Sequence, residues 1–157
     1  MAARMQFHFR QMTAPDARAI ATWHYPVPYD FYDWDRDADD LAELLDPRSW
    51  QQWYYAALDT TGALVGFLSL READGTVEIG LGLRPDLTGN GHGLAFMLAC
   101  LDYARARYTP VCFRLAVATF NVRAIRVYER AGFAPGRVYQ HVTNGGRHEF
   151  MEMILVV

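Results

Sequence analysis

The sequence predicts an α+β fold, with a mixed, mostly antiparallel central sheet and helices on both of its faces. Three observations carry this reading. Short alternating apolar segments are separated by turn dipeptides, the pattern of a meander and a hairpin. A single longer run has its apolar residues at helical spacing. A buried apolar strand and a second, capped helix then come before the closing hairpin.

Each element has a local cause. "MQFHFRQM" alternates enough to form a first strand. In "TAPDARAIATW", Thr13 is the N-cap, Pro15 lies in the first turn and Asp16 meets the positive helix end. "HYPVPYDFYDWDRD", rich in proline, aromatics and acids, reads as a loop that enters a short helix around residues 38–45. "WYYAALD" and "ALVGFLSLRE" are strands joined at Thr61-Gly62. "TVEIGLGLRP" follows a turn at Asp74-Gly75 and ends at Pro85.

From Gly91 to Tyr108, Leu94, Met97, Leu98, Leu101, Ala104 and Tyr108 recur at helical spacing. "VCFRLAV" is a buried strand, and Asn121 caps a short helix that Gly132 closes. "GRVYQHV" and "RHEFMEMILVV" turn about Asn144-Gly145, the strongest hairpin signal in the chain. No repeat, linker or low-complexity tract divides the 157 residues, so one domain, 1–157, is expected.

Composition narrows the function. The net charge is −3, but residues 30–46 alone carry −7 and the remainder +4. The basic residues are all arginines and are scattered, so no nucleic-acid stripe is expected. No apolar run approaches the roughly 20 residues of a membrane span. "MAARMQFHFRQM" lacks an apolar core followed by a small-residue cleavage site, so no secretory signal is expected. Cys100 and Cys112 sit in apolar surroundings and make no disulfide framework, so a cytoplasmic protein is the expectation.

"RPDLTGNGHGLAF" holds glycine at 89, 91 and 93, between a strand and a helix. Backbone N–H groups at a helix start lack partners, and the helix dipole adds positive charge, so an anion such as pyrophosphate is expected there. Dinucleotide spacing fails, because the third glycine position is Leu94 or Phe96 and "VCFRLAVATF" has no acid. A P-loop fails too, since the chain has no lysine.

"LRPDLTGNGHGLA" resembles the acyl-CoA pyrophosphate loop of the GCN5-related N-acetyltransferases (GNAT). The family pattern is Arg or Gln, two residues, Gly, one residue, then Gly or Ala. Gly91 and Gly93 fit it, and Thr88 stands at the Arg/Gln position. "NVRAIRVYERAGF" is similar to the family's next helix at Asn121, Ala124, Tyr128, Gly132 and Phe133. With "EIGLGLRP", the resemblance spans residues 63–157.

The resemblance implies acetyl transfer from acetyl-CoA, as co-substrate, to a primary amine. It implies pantetheine laid along Leu81, Gly82 and Leu83, with the Leu81 N–H polarising the thioester carbonyl. It implies pyrophosphate held by Thr88, Gly89, Asn90, Gly91, His92 and Gly93, and a pantetheine contact from Asn121. Asn121 also reads as a plain helix cap. Glu78 is the candidate base, sharing a face with Gly80 and Gly82, or else a solvated strand glutamate. Tyr128 is the candidate acid for the leaving thiolate, or else an amphipathic core tyrosine.

The acidic aromatic stretch suggests a cationic acceptor, a small molecule or a peptide N-terminus, held by Tyr29, Asp30, Tyr32 and Asp33. A solvated loop feeding a helix end is the other reading. His141 and His148 fall opposite each other across the final hairpin, but no further ligand is apparent, so no metal is expected. A non-catalytic acyl-CoA sensor of the same fold is the rival function, and a homodimer through the final hairpin is compatible with the sequence.

Overall fold

The computed structural model describes residues 4–157; the first three residues of the predicted domain lie outside the described residues. The elements are β1 (His8–Gln11), α1 (Ala14–Ala21), α2 (Ala38–Leu44), α3 (Pro47–Gln52), β2 (Tyr54–Leu58), β3 (Leu64–Ala73), β4 (Thr76–Leu83), α4 (Gly93–Arg107), β5 (Cys112–Ala118), α5 (Val122–Arg130), β6 (Ala134–Thr143) and β7 (Gly146–Val156). The strands form one sheet in the order β1-β2-β3-β4-β5-β7-β6. All neighbours are antiparallel except β4 and β5.

Turn chemistry sets the registers. Asp74-Gly75 and Asn144-Gly145 have positive φ at both residues, the backbone that two-residue hairpin turns require. The second turn brings His141 opposite His148, as the sequence predicted. At α1, Asp16 accepts the backbone N–H and hydroxyl of Thr13 and pairs with Arg10, which fixes the chain as it leaves β1.

Strand alternation sends side chains to two cores. Tyr55, Leu68, Leu70, Val77 and Ile79 pack with Met97, Leu101 and Phe113 under α4 and α5. On the opposite face, Tyr54 and Phe67 pack with Met12, Ile20 and Leu44 under α1 and α2. Each fully buried leucine or phenylalanine contributes roughly 1.5–3 kcal/mol. The helices therefore cover both faces, as expected.

Several boundaries differ from the sequence reading. β1 is half the predicted length, and the predicted loop holds two 3-10 turns, Tyr29–Tyr32 and Trp34–Arg36. α3 was not anticipated; Asp46 caps it and Pro47 starts it, yet its six residues are too few to show a period. α4 begins at Gly93 instead of Gly91.

One feature of the sheet positions the site. β4 pairs with β5 only from Thr76 to Glu78, against Cys112 to Arg114. Beyond Glu78 the two strands separate.

Candidate active site

A cavity of about 680 Å³ opens where β4 and β5 part. Its wall includes Ile79 to Leu83 of β4 and Leu115 to Val117 of β5. The Arg84 N–H reaches Val65 O, so in this antiparallel register Gly82 and Gly80 turn their backbone groups toward β3. Leu81 and Leu83 therefore turn theirs toward the gap, beyond the last residues that β5 pairs. Leu83 O is taken by the Tyr25 hydroxyl at 2.7 Å, while the Leu81 N–H and C=O face the cavity as a free strand edge. The strand edge along Leu81 to Leu83 is thus open to the cavity.

The glycine loop follows the end of β4 by way of a 3-10 turn, Pro85–Leu87. Gly89 and Gly91 have φ of 75° and 81°, a region that other residues enter at a cost. Thr88, Gly89, Gly91 and Gly93 line the cavity. The side chains of Thr88 and Asn90 instead brace the loop: the Thr88 hydroxyl donates to Pro85 O at 2.7 Å, and Asn90 Nδ2 donates to Asp86 O at 3.0 Å. Asn90 and His92 do not line the cavity. Gly93 serves helix packing as well, since a Cβ there would lie 3.2 Å from Val127.

Glu78 is a correction. Its carboxylate pairs with Arg114 at 3.0 Å, its side chain is 54% exposed, and it lies outside the cavity wall. The predicted desolvation is absent, because Glu78 sits at the last paired position of β4. The room expected beside Gly80 and Gly82 is also filled, by Ser69 and Phe67 of the neighbouring strand.

Tyr128 lines the cavity from α5, and burial, then the nearby Tyr32, push its phenol well above the ordinary range. It therefore stays protonated. Asn121 caps α5 by accepting the Ala124 N–H, and its Nδ2 donates to the Tyr32 hydroxyl at 3.2 Å. Asn121 is thus the helix cap that the sequence predicted, and it lines the cavity with its amide donating to Tyr32.

The acceptor residues divide. Tyr29, Tyr32 and Asp33 line the cavity. Asp30 does not; it turns outward to Arg36 at 3.4 Å, a second correction. Asp33 is largely engaged, accepting the Tyr25 N–H and contacting His24 Nδ1, both at 2.9 Å. That contact raises the His24 pKa.

Two carboxylates that the sequence reading did not select also line the cavity, Asp40 and Glu43. Glu43 pairs with Arg71 and accepts the Tyr54 hydroxyl at 3.1 Å. Asp40 has no hydrogen-bond or ion-pair partner for its carboxylate among the described residues. Partial burial, then Asp37 and Glu43, raises its pKa. Their i, i+3 spacing puts both on one face of α2, but the spacing alone does not say what that face meets.

His24, Asp33 and Asp35 bring ligand atoms within 4.8 Å of one another, a grouping the sequence expectation of no metal did not foresee. His141 lines the cavity, whereas His148 does not.

The same architecture occurs in solved proteins. A spermidine N-acetyltransferase from Vibrio cholerae, in complex with CoA and spermine, superposes with a TM-score of 0.76 at 21% identity, covering 96% of this chain and 95% of that one. An acetyltransferase of the GNAT family from Bacillus anthracis gives 0.74 at 15% identity, with 99% and 96% covered. Mycothiol acetyltransferases of Salinispora tropica and Streptomyces avermitilis are each 35% identical, over 104 and 98 residues. Those matches cover 59% and 57% of this chain, which spans about a third of the length of these curated relatives, 34% and 31%. The family model for the acetyltransferase (GNAT) domain matches residues 6–134, further toward the N-terminus than the motifs legible in the sequence. On that match, with the glycine loop and the parted strands in place, the chain belongs to the GNAT acetyltransferase family.

Proposed function

We propose that the protein transfers the acetyl group of acetyl-CoA to a primary amine on a cationic acceptor. One observation carries the reading: a single cavity joins a free strand edge and an amide-rich loop to a group of carboxylates. The loop suits a diphosphate, the edge suits an amide-bearing arm, and the carboxylates suit ammonium groups.

The transfer balances simply. The neutral amine nitrogen bonds to the thioester carbonyl carbon, the C–S bond breaks, and the thiolate takes a proton. The Leu81 N–H, facing the gap, stabilises the oxygen as it gains charge. Tyr128, kept protonated by burial, donates to the sulfur. Asp33, the buried carboxylate on the cavity wall, is engaged by Tyr25 and His24, so the amine's proton leaves through water in the open acceptor half. Glu78 takes part at most through that water.

The acceptor half is built from aromatic walls, including Tyr29, Trp34, Tyr54 and Phe67, with Asp40 and Glu43 between them. Such a surround favours a cation by charge and by contact with ring faces. Asp40 is the carboxylate free to pair. The spermine-bound neighbour from Vibrio cholerae supports this class of acceptor, as do the acids of residues 30–46. The reading needs no nucleic acid, membrane or metal. It fits a cytoplasmic protein with two free thiols, and no described helix is long and apolar enough to cross a membrane.

The rival reading, an acyl-CoA sensor, draws support from Glu78 standing outside the cavity. A thiol-release assay with acetyl-CoA and a panel of diamines, polyamines and neutral amines separates them. Release that depends on a cationic amine supports transfer; binding without release supports the sensor.

A further inference from the structure

Thr88 leaves the glycine loop without a charged side chain of its own. Its hydroxyl is spent on Pro85 O, and Arg84, the nearest arginine in sequence, is held by Asp86 at 2.6 Å and by Leu64 O at 2.9 Å. A diphosphate carries about two negative charges, more than amides and a helix dipole of roughly half a charge neutralise. A cation from elsewhere in the fold would complete the neutralisation.

One is present. Arg123, on the first turn of α5, lies against the loop: its Nη1 is 3.3 Å from the point a Cβ on Gly89 would occupy. It is the one arginine among the described residues that lines the cavity. No carboxylate pairs with it among the described residues. Its guanidinium carbon lies over the Tyr29 ring, 4.0 Å from the centroid. Such a cation–π contact uses none of the guanidinium N–H donors in a hydrogen bond to a carboxylate and leaves them for an anion.

We propose that Arg123 is the cationic partner of the donor's diphosphate, supplied from α5 across the cavity in place of a charge at position 88. This rests on the reading of the cavity as an acetyl-CoA site. The same side chain ties the donor to the acceptor lip, because the guanidinium that meets phosphate also supports Tyr29. Glycine at 89 has a second use here, since any side chain at that position would meet Nη1 and hold it off the loop.

The test is binding by calorimetry of CoA, dephospho-CoA and pantetheine to the full chain and to Arg123→Gln and Arg123→Lys. Steady-state rates with acetyl-CoA and acetyl-pantetheine accompany it. In Arg123→Gln, affinity for CoA and for dephospho-CoA is expected to fall equally, on the order of ten- to a hundredfold, and Arg123→Lys should recover part of the loss. The ratio of kcat/KM for acetyl-pantetheine to that for acetyl-CoA should rise by a similar factor. Unchanged CoA affinity in Arg123→Gln overturns the proposal. So does a loss confined to CoA, which assigns Arg123 to the phosphate that dephospho-CoA lacks, and so does an equal loss with pantetheine, which makes it a packing residue. Failure of the unaltered protein to bind CoA at all overturns the site reading itself, and the two failures are thereby distinct.

Discussion

The Tyr32 hydroxyl accepts a hydrogen bond from Asn121 Nδ2 at 3.2 Å and another from the Ala118 N–H at 3.3 Å. It thereby occupies the last backbone donor of β5 and the amide of the residue that caps α5. A residue of the N-terminal lip thus holds groups that a pantetheine arm would use.

Tyr32→Phe should therefore act in opposite directions on the free and bound protein. Two donors left without an acceptor cost about 1–3 kcal/mol, so the melting temperature without ligand falls. The arm no longer competes with a phenol, so the stabilisation gained from CoA rises. Thermal melts with and without CoA measure both. A fall in both quantities would contradict the competition.

Asp40→Asn should weaken cationic acceptors selectively. Loss of a charged partner at this partly exposed position raises KM for diamines by about two- to fivefold, and leaves neutral amines unchanged. The Asp40 pKa is raised, so the unaltered enzyme should lose affinity for cations on acidification at a higher pH than an ordinary carboxylate would produce. In Asp40→Asn that acidic limb should vanish. Its persistence would move the role to Glu43 or Asp33.

Glu78→Gln and Tyr128→Phe should separate. Glu78 is solvated and paired with Arg114, so its replacement should change kcat by less than about threefold, the scale of an exposed pair. Removing the Tyr128 phenol should cost about 10²-fold or more in kcat with CoA affinity retained, as for a lost general acid. Equal losses would return Glu78 to the chemistry.

Asp16→Asn tests the fold without touching the cavity. Asp16 is 6% exposed; burial alone would raise its pKa, but hydrogen bonds from Arg10 and Thr13 win and lower it. A lowered folded value means the carboxylate stabilises the protein above its unfolded pKa, and that stability is lost as pH falls through the folded value. Asp16→Asn should cost roughly 1–3 kcal/mol near neutral pH and less as acid is added. Melting temperatures from pH 7 down to pH 3 measure it, and a deficit independent of pH would contradict the ionic account.

What the sequence made legible was local. The paired turns, the helix caps at Thr13 and Asn121 and the glycine loop follow from residue type and spacing, and they stand where they were expected. The expectation of an arm along Leu81, Gly82 and Leu83 came from family resemblance, since nothing in "EIGLGLRP" alone says where a neighbouring strand departs. Glu78 was misread because alternation gives a face but no position along the strand, and the last paired residue differs from the first free one. Asp40, Glu43 and Arg123 were missed for a related reason. Each comes from a helix remote in sequence, and only the assembled sheet brings α2 and α5 to the same cavity. Asp30 and Asp33 lie three residues apart, yet the turn at Tyr29–Tyr32 sends one outward and one in.

The most direct measurement is thiol release from acetyl-CoA, followed together with acetylated amine by mass spectrometry, with a diamine as acceptor. One free CoA should appear for each acetyl group found on nitrogen, at a rate that saturates in both substrates and falls at least 10²-fold in Tyr128→Phe. Calorimetric binding of acetyl-CoA with no amine acetylated across the panel would contradict transfer, and no binding of any CoA thioester would remove the cavity from the account.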